Sequence, residues 1–275
     1  VPKNHHQFVR MKIITIVGAR PQFIKASVVS RAIISHEHGN RRIEESILHT
    51  GQHYDRCMSQ VFFDDLSIPR PRWRLNCSNI QPEAMANEIC SCIKDDEFDL
   101  MLLYGDTNST LAGALAAESL RIPIAHIEAG LRSFNNIMPE EKNRIETDKR
   151  STWLFCPTHT ALENLKNEGI QGKIYKTGDV MYDAALFFAL IAKEKSTILT
   201  DLRLREKKFI LATIHRAENT NAVNLTDIFH AFVKTATKEV PIILPLHPRT
   251  RKIIDESASL KRLTCVNKNL TGQLS

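Results

Sequence analysis

No apolar run in the 275-residue chain approaches the ~18 to 20 residues that span a bilayer. Residues 1 to 10, VPKNHHQFVR, hold no apolar stretch of the signal-peptide kind. A membrane-spanning protein is therefore not expected, and a cytoplasmic location is. Cysteine is sparse, with six in the chain, and Cys90 and Cys92 stand two apart in a predicted helix, where such neighbours do not share a face. That excludes a disulfide scaffold and leaves reduced structural thiols. His49, His53 and Cys57 sit at a strand end and beyond a turn, without the tight ligand pairs that zinc motifs use, so no metal is expected. Long basic blocks are missing too. A formal charge of +6 with scattered Lys and Arg argues against nucleic acid and suits an anionic small molecule. Gly18-Ala-Arg20-Pro21-Gln22 is neither a G-x-G-x-x-G fingerprint nor a Walker loop, which removes the usual dinucleotide and ATP sites.

What is present is an ordinary globular composition, 43% hydrophobic and 25% charged. The length predicts one complete domain and part or all of a second. One stretch organises the rest, Ile124 to Asp148. Pro123 to Ile127 reads as a fully buried parallel strand that stops at Glu128-Ala-Gly-Leu-Arg132. Beyond a polar loop, Pro139 suits the first position of a helix and Glu140 and Glu141 suit its first turn, with Asn143 and Arg144 one turn on.

The same grammar repeats along the chain. Lys12 to Val17 is a strand, followed by the GARPQ turn and a helix to Ile33. Arg20 and Lys25 lie near that helix's N-terminus, where cations are disfavoured by roughly 0.3 to 1 kcal/mol; either an anionic ligand or a structural salt bridge faces them. Ser46 to Thr50 is a strand ending in Gly51-Gln52-His53, whose last two residues are turn formers or ligands. Asp99 to Tyr104 is a strand closed by Gly105-Asp106, and Asp106 is either the next helix's N-cap or a base at the sheet edge. Glu128 is either a base or the partner of Arg132, and Glu140 and Glu141 serve chemistry or simply complement the helix dipole.

Thr152 to Cys156 and Ile174 to Thr177 complete a first doubly wound, Rossmann-like α/β domain over 11–179, behind an extension at 1–10. A helix from Met181 to Lys193 leads into a second domain, 180–275, and the charged stretch Lys193 to Lys208 follows as a loop or short helix. Strands are expected at Phe209 to Thr213, Pro241 to Leu244 and Leu263 to Val266, with His215 and His247 at carboxyl ends. Three strands are fewer than the five or six of a full doubly wound sheet, so a partial second domain is expected. Arg20, Asp106, Glu128, Glu140, Glu141, Arg144 and His215 all fall at strand ends, where open α/β sheets bind ligands, and together they suit acid/base chemistry on an anion.

Eight segments carry a resemblance: VGARPQFIK (17–25), TGQH (50–53), YGDTNSTLA (104–112), HIEAGLRS (126–133), MPEEKNR (138–144), TGD (177–179), ATIHRAEN (212–219) and PLHPRT (245–250). In order and spacing the chain resembles the non-hydrolysing UDP-N-acetylglucosamine 2-epimerases. The resemblance implies two Rossmann-like domains in the B-type glycosyltransferase arrangement, with a UDP-sugar between them and no cofactor; a complete chain is expected to form a homodimer. It also implies loss of the C2 proton as UDP leaves C1, giving 2-acetamidoglucal, then reprotonation from the other face and return of UDP. Asp106, Glu128 and Glu140 are then acid/base candidates, and His215 steadies the diphosphate or joins the chemistry. Arg20 and Lys25 fall at the substrate cleft, Glu141, Asn143 and Arg144 support its loop, and Gln52 and His53 match positions near a regulatory UDP-sugar site. Ala217 departs from the common pattern, and the later Ser-Gly-Gly segment and terminal helix are absent. A glycosyltransferase using the same cleft, or a non-catalytic UDP-sugar binder, are the alternatives.

Overall fold

A computed structural model describes residues 9–36, 41–52, 60–78, 80–214, 219–246, 248–257 and 260–261. The chain divides into two units, 1–190 and 191–275, and the division falls inside helix α7 (Val180–Lys195).

The first unit is built on a parallel sheet of seven strands: β1 (Val9–Val17), β2 (Arg41–His49), β3 (Trp73–Arg74), β4 (Leu100–Tyr104), β5 (Ile124–Ile127), β6 (Trp153–Cys156) and β7 (Lys173–Lys176). Their order is β3-β2-β1-β4-β5-β6-β7, so the winding reverses between β1 and β4. Every residue of β4 and β5 is buried, as the apolar runs LMLLY and IAHI require of strands covered on both faces. On one face Ile14, Ile16, Met101 and Leu103 pack with Met85 and Ile89 of α3 (Pro82–Ile93) and the alanines of α4 (Asn108–Leu120). On the other, Val17, Ile47, Leu102 and Tyr104 pack with Phe23 and Ala26 of α1 (Arg20–Ser35) and Phe63 of α2 (Gln60–Asp65).

Val17 pairs with His49 and Tyr104 with Ile127, so the turns after these strands stand together along the carboxyl edge. The edge is tight at Gly18, where a Cβ would overlap Thr50 Oγ1 and Ser109 Oγ. Helix α5 (Pro139–Arg150) begins at the predicted proline; Glu140 and Glu141 lie in its first turn and Lys149 and Arg150 in its last, both suited to the dipole. Helix α6 (His159–Asn167) closes over β6 through Ala161 and Leu165.

In the second unit, α8 (Ile198–Asp201) is the short helix of the charged stretch, and β8 (Ile210–Leu211) pairs in parallel with β9 (Ile242–Ile243). Leu225 and Phe229 of α9 (Ala222–Thr235) pack with Ile254 of α10 (Pro248–Glu256). The strand expected at Leu263 to Val266 lies outside the described residues. The two-residue edge strand β3 was not expected; it is too short to carry a period. No described helix is long and apolar enough to cross a membrane.

Candidate active site

The reversal of winding between β1 and β4 is where an open α/β sheet leaves a crevice, because the crossovers on either side run away from each other. The turns Gly18–Ala19 and Gly105–Asp106 flank that point. Gln22 joins them. Its Oε1 accepts from the Gly18 and Ala19 N–H groups at 2.8 and 3.1 Å, and its Nε2 donates to Tyr104 O at 3.2 Å and Thr110 Oγ1 at 3.0 Å. With 1% exposure, every donor and acceptor of this amide is used inside the protein.

Asp106 is not the N-cap of α4. Thr107 takes that place, its side chain accepting from Thr110 N, while the Asp106 carboxylate pairs with Arg144 of α5. Asn143 reinforces the arrangement by donating to Asp106 O at 2.9 Å and Asn108 Oδ1 at 3.2 Å. Glu128 likewise lacks the partner one alternative assigned to it. It stands at φ 73°, a left-handed conformation that disfavours a side chain, and pairs with Lys25 of α1. Arg132 turns away to Asp148 and Glu168. A Cβ on Gly105 (φ +64°) would lie 2.9 Å from Glu128 Oε2 and 3.1 Å from Lys25 Nζ, so this turn presses directly against the ion pair.

Two carboxylates, each with its own cation, thus stand on neighbouring turns at the switch point. The turn hydrogen bonds explain how: Glu128 N and Ala129 N both donate to Phe155 O at 3.1 Å, and Gly105 N donates to Ile127 O at 3.0 Å.

Glu141 is 1% exposed and organises the loop before α5. Its oxygens accept from Ser133 N, Ser133 Oγ, Phe134 N and Arg144 at 2.9 to 3.1 Å. Burial pushes this carboxyl up, but the Ser133, Phe134 and Arg144 donors outweigh it and hold it below the usual glutamate value. Glu140, its neighbour, is exposed. Arg20 is exposed at the start of α1, its guanidinium 5.3 Å from the centre of the Phe62 ring. Gln52 reaches the start of α4, its Oε1 accepting from Ser109 N at 3.0 Å and Ser109 Oγ at 2.7 Å. His53 and His215 lie outside the described residues.

Residues with no role in the sequence reading complete the site: Gln22, His126 and Asp148. A histidine inside the apolar strand IAHI was the available signal, because a buried imidazole needs a partner. Among the described residues no group of three or more His, Cys, Asp or Glu could hold a metal ion.

Comparison with known proteins adds to this geometry. The family model described as UDP-N-acetylglucosamine 2-epimerase matches residues 36–271. The chain is 52% identical over 252 residues to a UDP-N-acetylglucosamine 2-epimerase homolog of Methanococcus maripaludis, spanning 90% of this chain and 68% of the relative. It is also 52% identical over 253 residues to the UDP-2,3-diacetamido-2,3-dideoxy-D-glucuronate 2-epimerase of Pseudomonas aeruginosa, spanning 89% of this chain and 69% of that one. The structure is similar to the crystal structure of Methanocaldococcus jannaschii UDP-GlcNAc 2-epimerase in complex with UDP-GlcNAc and UDP: TM-score 0.81 and 36% identity, over 95% of this chain and 72% of the other. With the expected motifs, the α/β parallel fold and these matches in agreement, the chain belongs to the UDP-N-acetylglucosamine 2-epimerase family.

Proposed function

We propose that this protein is a 2-epimerase that interconverts UDP-GlcNAc and UDP-ManNAc. The observation that carries the reading is the pair of cation-bound carboxylates, Glu128 with Lys25 and Asp106 with Arg144, on adjacent turns at the switch point. Inversion at C2 needs two proton-handling groups on opposite faces of the ring, and the cation beside each carboxylate fixes where that carboxylate sits.

In the proposed reaction one carboxylate takes the C2 proton. The C2–H electron pair becomes the C1–C2 double bond, and the C1–O bond breaks with its pair passing to the β-phosphate oxygen of UDP. A proton then returns to C2 from the other face as the UDP oxygen re-forms its bond to C1, so atoms and electrons balance. Asp106 and Glu128 are the two proton carriers, Glu140 is a further acid/base candidate, Arg20 and Lys25 serve substrate binding, and His215 steadies the diphosphate or joins the chemistry. Glu141 holds the Ser133–Phe134 loop and orients Arg144. Gln52 and His53 belong to a second UDP-sugar site. We place the enzyme in the cytoplasm, which the free thiols of Cys77, Cys90, Cys92 and Cys156 support, and as a homodimer, which light scattering tests.

A second reading rests on the 52% identity to the diacetamido-glucuronate epimerase, a relative named for a different UDP-sugar. It keeps the chemistry at C2 and changes the sugar. Proton NMR in D2O with each UDP-sugar in turn decides. Deuterium at C2 with a new manno anomeric signal from UDP-GlcNAc supports the first reading; turnover of the diacetamido-glucuronate alone supports the second. Absence of C2 exchange with both sinks epimerisation.

A further inference from the structure

We infer, on the reading that Asp106 and Glu128 are the proton-handling pair, that His126 is a positioning residue held as an imidazolium, tying the Gly105–Asp106 turn to the Glu128–Gly130 turn through Asp148. Both ring nitrogens of His126 face acceptors. Nε2 is 2.8 Å from Gly105 O, and Nδ1 is 2.7 Å from Asp148 Oδ1. A peptide carbonyl cannot donate, so Nε2 carries a proton. A carboxylate cannot donate either, so Nδ1 carries the second.

The one escape is a protonated Asp148, and its other oxygen argues against that. Asp148 Oδ2 accepts from Gly130 N at 3.1 Å and from the Arg132 guanidinium at 2.8 Å, both of which favour the charged carboxylate. Charge then balances inside the fold. His126 and Asp148 are fully buried, Arg132 is 1% exposed along its side chain, and Glu168 grips the far side of that guanidinium with two bonds of 2.7 Å. Two cations meet two carboxylates. Cys156 is a further titratable neighbour, its thiol pushed up to about 11, first by burial, then by Asp148, against the pull of Arg132; it stays neutral. The Lys25–Glu128 pair stands beyond Gly105 and is itself charge-balanced.

The placement gives this pair a task. Gly105 is the residue before Asp106, and Gly130 stands two residues after Glu128. One end of the His126–Asp148 pair therefore holds each carboxylate-bearing turn.

Nitrogen-15 NMR of the imidazole, assigned by the signals lost in His126→Gln, tests the charge. At about pH 8, where a free imidazole is neutral, both ring nitrogens are expected to show directly bonded protons. One bare nitrogen overturns the inference. Asp148→Asn should convert His126 to the single Nε2–H form, and a ring that keeps both protons there refutes the role given to Asp148. Amide hydrogen exchange tests the tie: in His126→Gln the Gly105 and Gly130 N–H groups should both exchange at least tenfold faster. If Gly130 is unchanged, the two turns are not coupled. Should His126→Gln not fold, Asp148→Asn answers through the Gly130 amide, which loses its carboxylate acceptor and exchanges faster only if Asp148 holds that turn. In turnover, both variants should lose about 100-fold in kcat, as a misplacement of ~1 Å does, with KM changed less than about threefold. A raised KM at unchanged kcat refutes positioning. Wild-type protein that exchanges no C2 proton sinks the epimerase reading and leaves the ring-nitrogen and amide results standing.

Discussion

Lys25 and Glu128, 103 residues apart in the chain, form an ion pair with side chains only 7% and 22% exposed. Glu128 does so from a backbone conformation at φ 73° that an ordinary side chain avoids, at a cost of order 1 kcal/mol or more. Strain of that kind persists where the surroundings fix it, and here the surroundings are Lys25, Gly105 and the Phe155 carbonyl. Glu128→Gln should therefore fold and still lose 10²- to 10⁴-fold in turnover, the usual worth of a placed acid or base. Asp106→Asn should behave alike. Deuterium incorporation at C2 measures both, and near-normal rates in either remove that residue from the chemistry.

Lys25→Met makes a separate demand, because it leaves the Glu128 carboxylate half-buried without its cation. Losing one side of a charged hydrogen bond costs about 1.5 to 3 kcal/mol. Adding Glu128→Gln should restore part of that loss, since the uncompensated charge has gone. Urea unfolding followed by the fluorescence of Trp73 and Trp153, both in the first unit, measures the cycle; strict additivity would mean that the pair contributes nothing.

Gln22 makes four hydrogen bonds across three chain segments. Gln22→Ala strands the Gly18 and Ala19 N–H groups in a buried turn, and a buried unpaired group costs about 1 to 3 kcal/mol. The expected result is a loss of at least about 2 kcal/mol in the same urea experiment. A smaller loss would mean that the β1 turn does not depend on this amide.

How much of this could be read beforehand depends on the kind of signal. Apolar runs ending in Gly-x or Glu-Ala-Gly placed β1, β4 and β5 and the turns behind them, because burial on both faces leaves a plain mark in sequence. Pro139 marked the start of α5 for an equally local reason. Partners across the fold were another matter. Glu128 and Arg132 are four apart, a spacing that implies contact only on a helix, and Glu128 lies in a left-handed turn instead. Asp106 and Thr107 are both good caps, and the choice between them was made by Gly105 at φ +64° and by Arg144, 38 residues away. The contacts that Gln22, His126 and Asp148 make outside their own turns join residues 16 to 88 apart, which no local pattern records.

Glu45 offers a stability effect that is independent of catalysis. Half-buried beside β1, it accepts from Thr15 Oγ1 at 2.5 Å. Burial raises its carboxyl above the ordinary value, and the Thr15 and Ser30 hydroxyls oppose that only in part. A carboxyl raised on folding supports the fold while protonated, so its contribution is complete below ~4.3, the unfolded value, and is lost as pH rises through the folded one. Glu45→Gln keeps an acceptor for Thr15 and cannot ionise. The variant should be the more stable of the two near pH 7, and the difference should shrink towards pH 4. Equal stability at both pH values would show that Glu45 ionises inside the fold without cost.

Glu141 should show the opposite sign. Its carboxyl is held low by Ser133, Phe134 and Arg144 despite burial, so the ionised form is the one that supports the fold. That support is fully present above ~4.3 and disappears as pH falls through the lower, folded value. Glu141→Gln turns an amide N–H₂ towards donors in the Ser133–Phe134 turn and weakens the hold on Arg144. At pH 7 it should cost about 1 to 3 kcal/mol, the penalty of a buried donor facing donors. Approaching pH 4 and below, the wild type should lose its advantage and the two curves converge. Activity should fall as well, because Arg144 also pairs with Asp106. If instead the gap between wild type and Glu141→Gln stays constant as the pH falls from 7 to well below 4, the charge on Glu141 is not what holds the loop, and the shape of the side chain is.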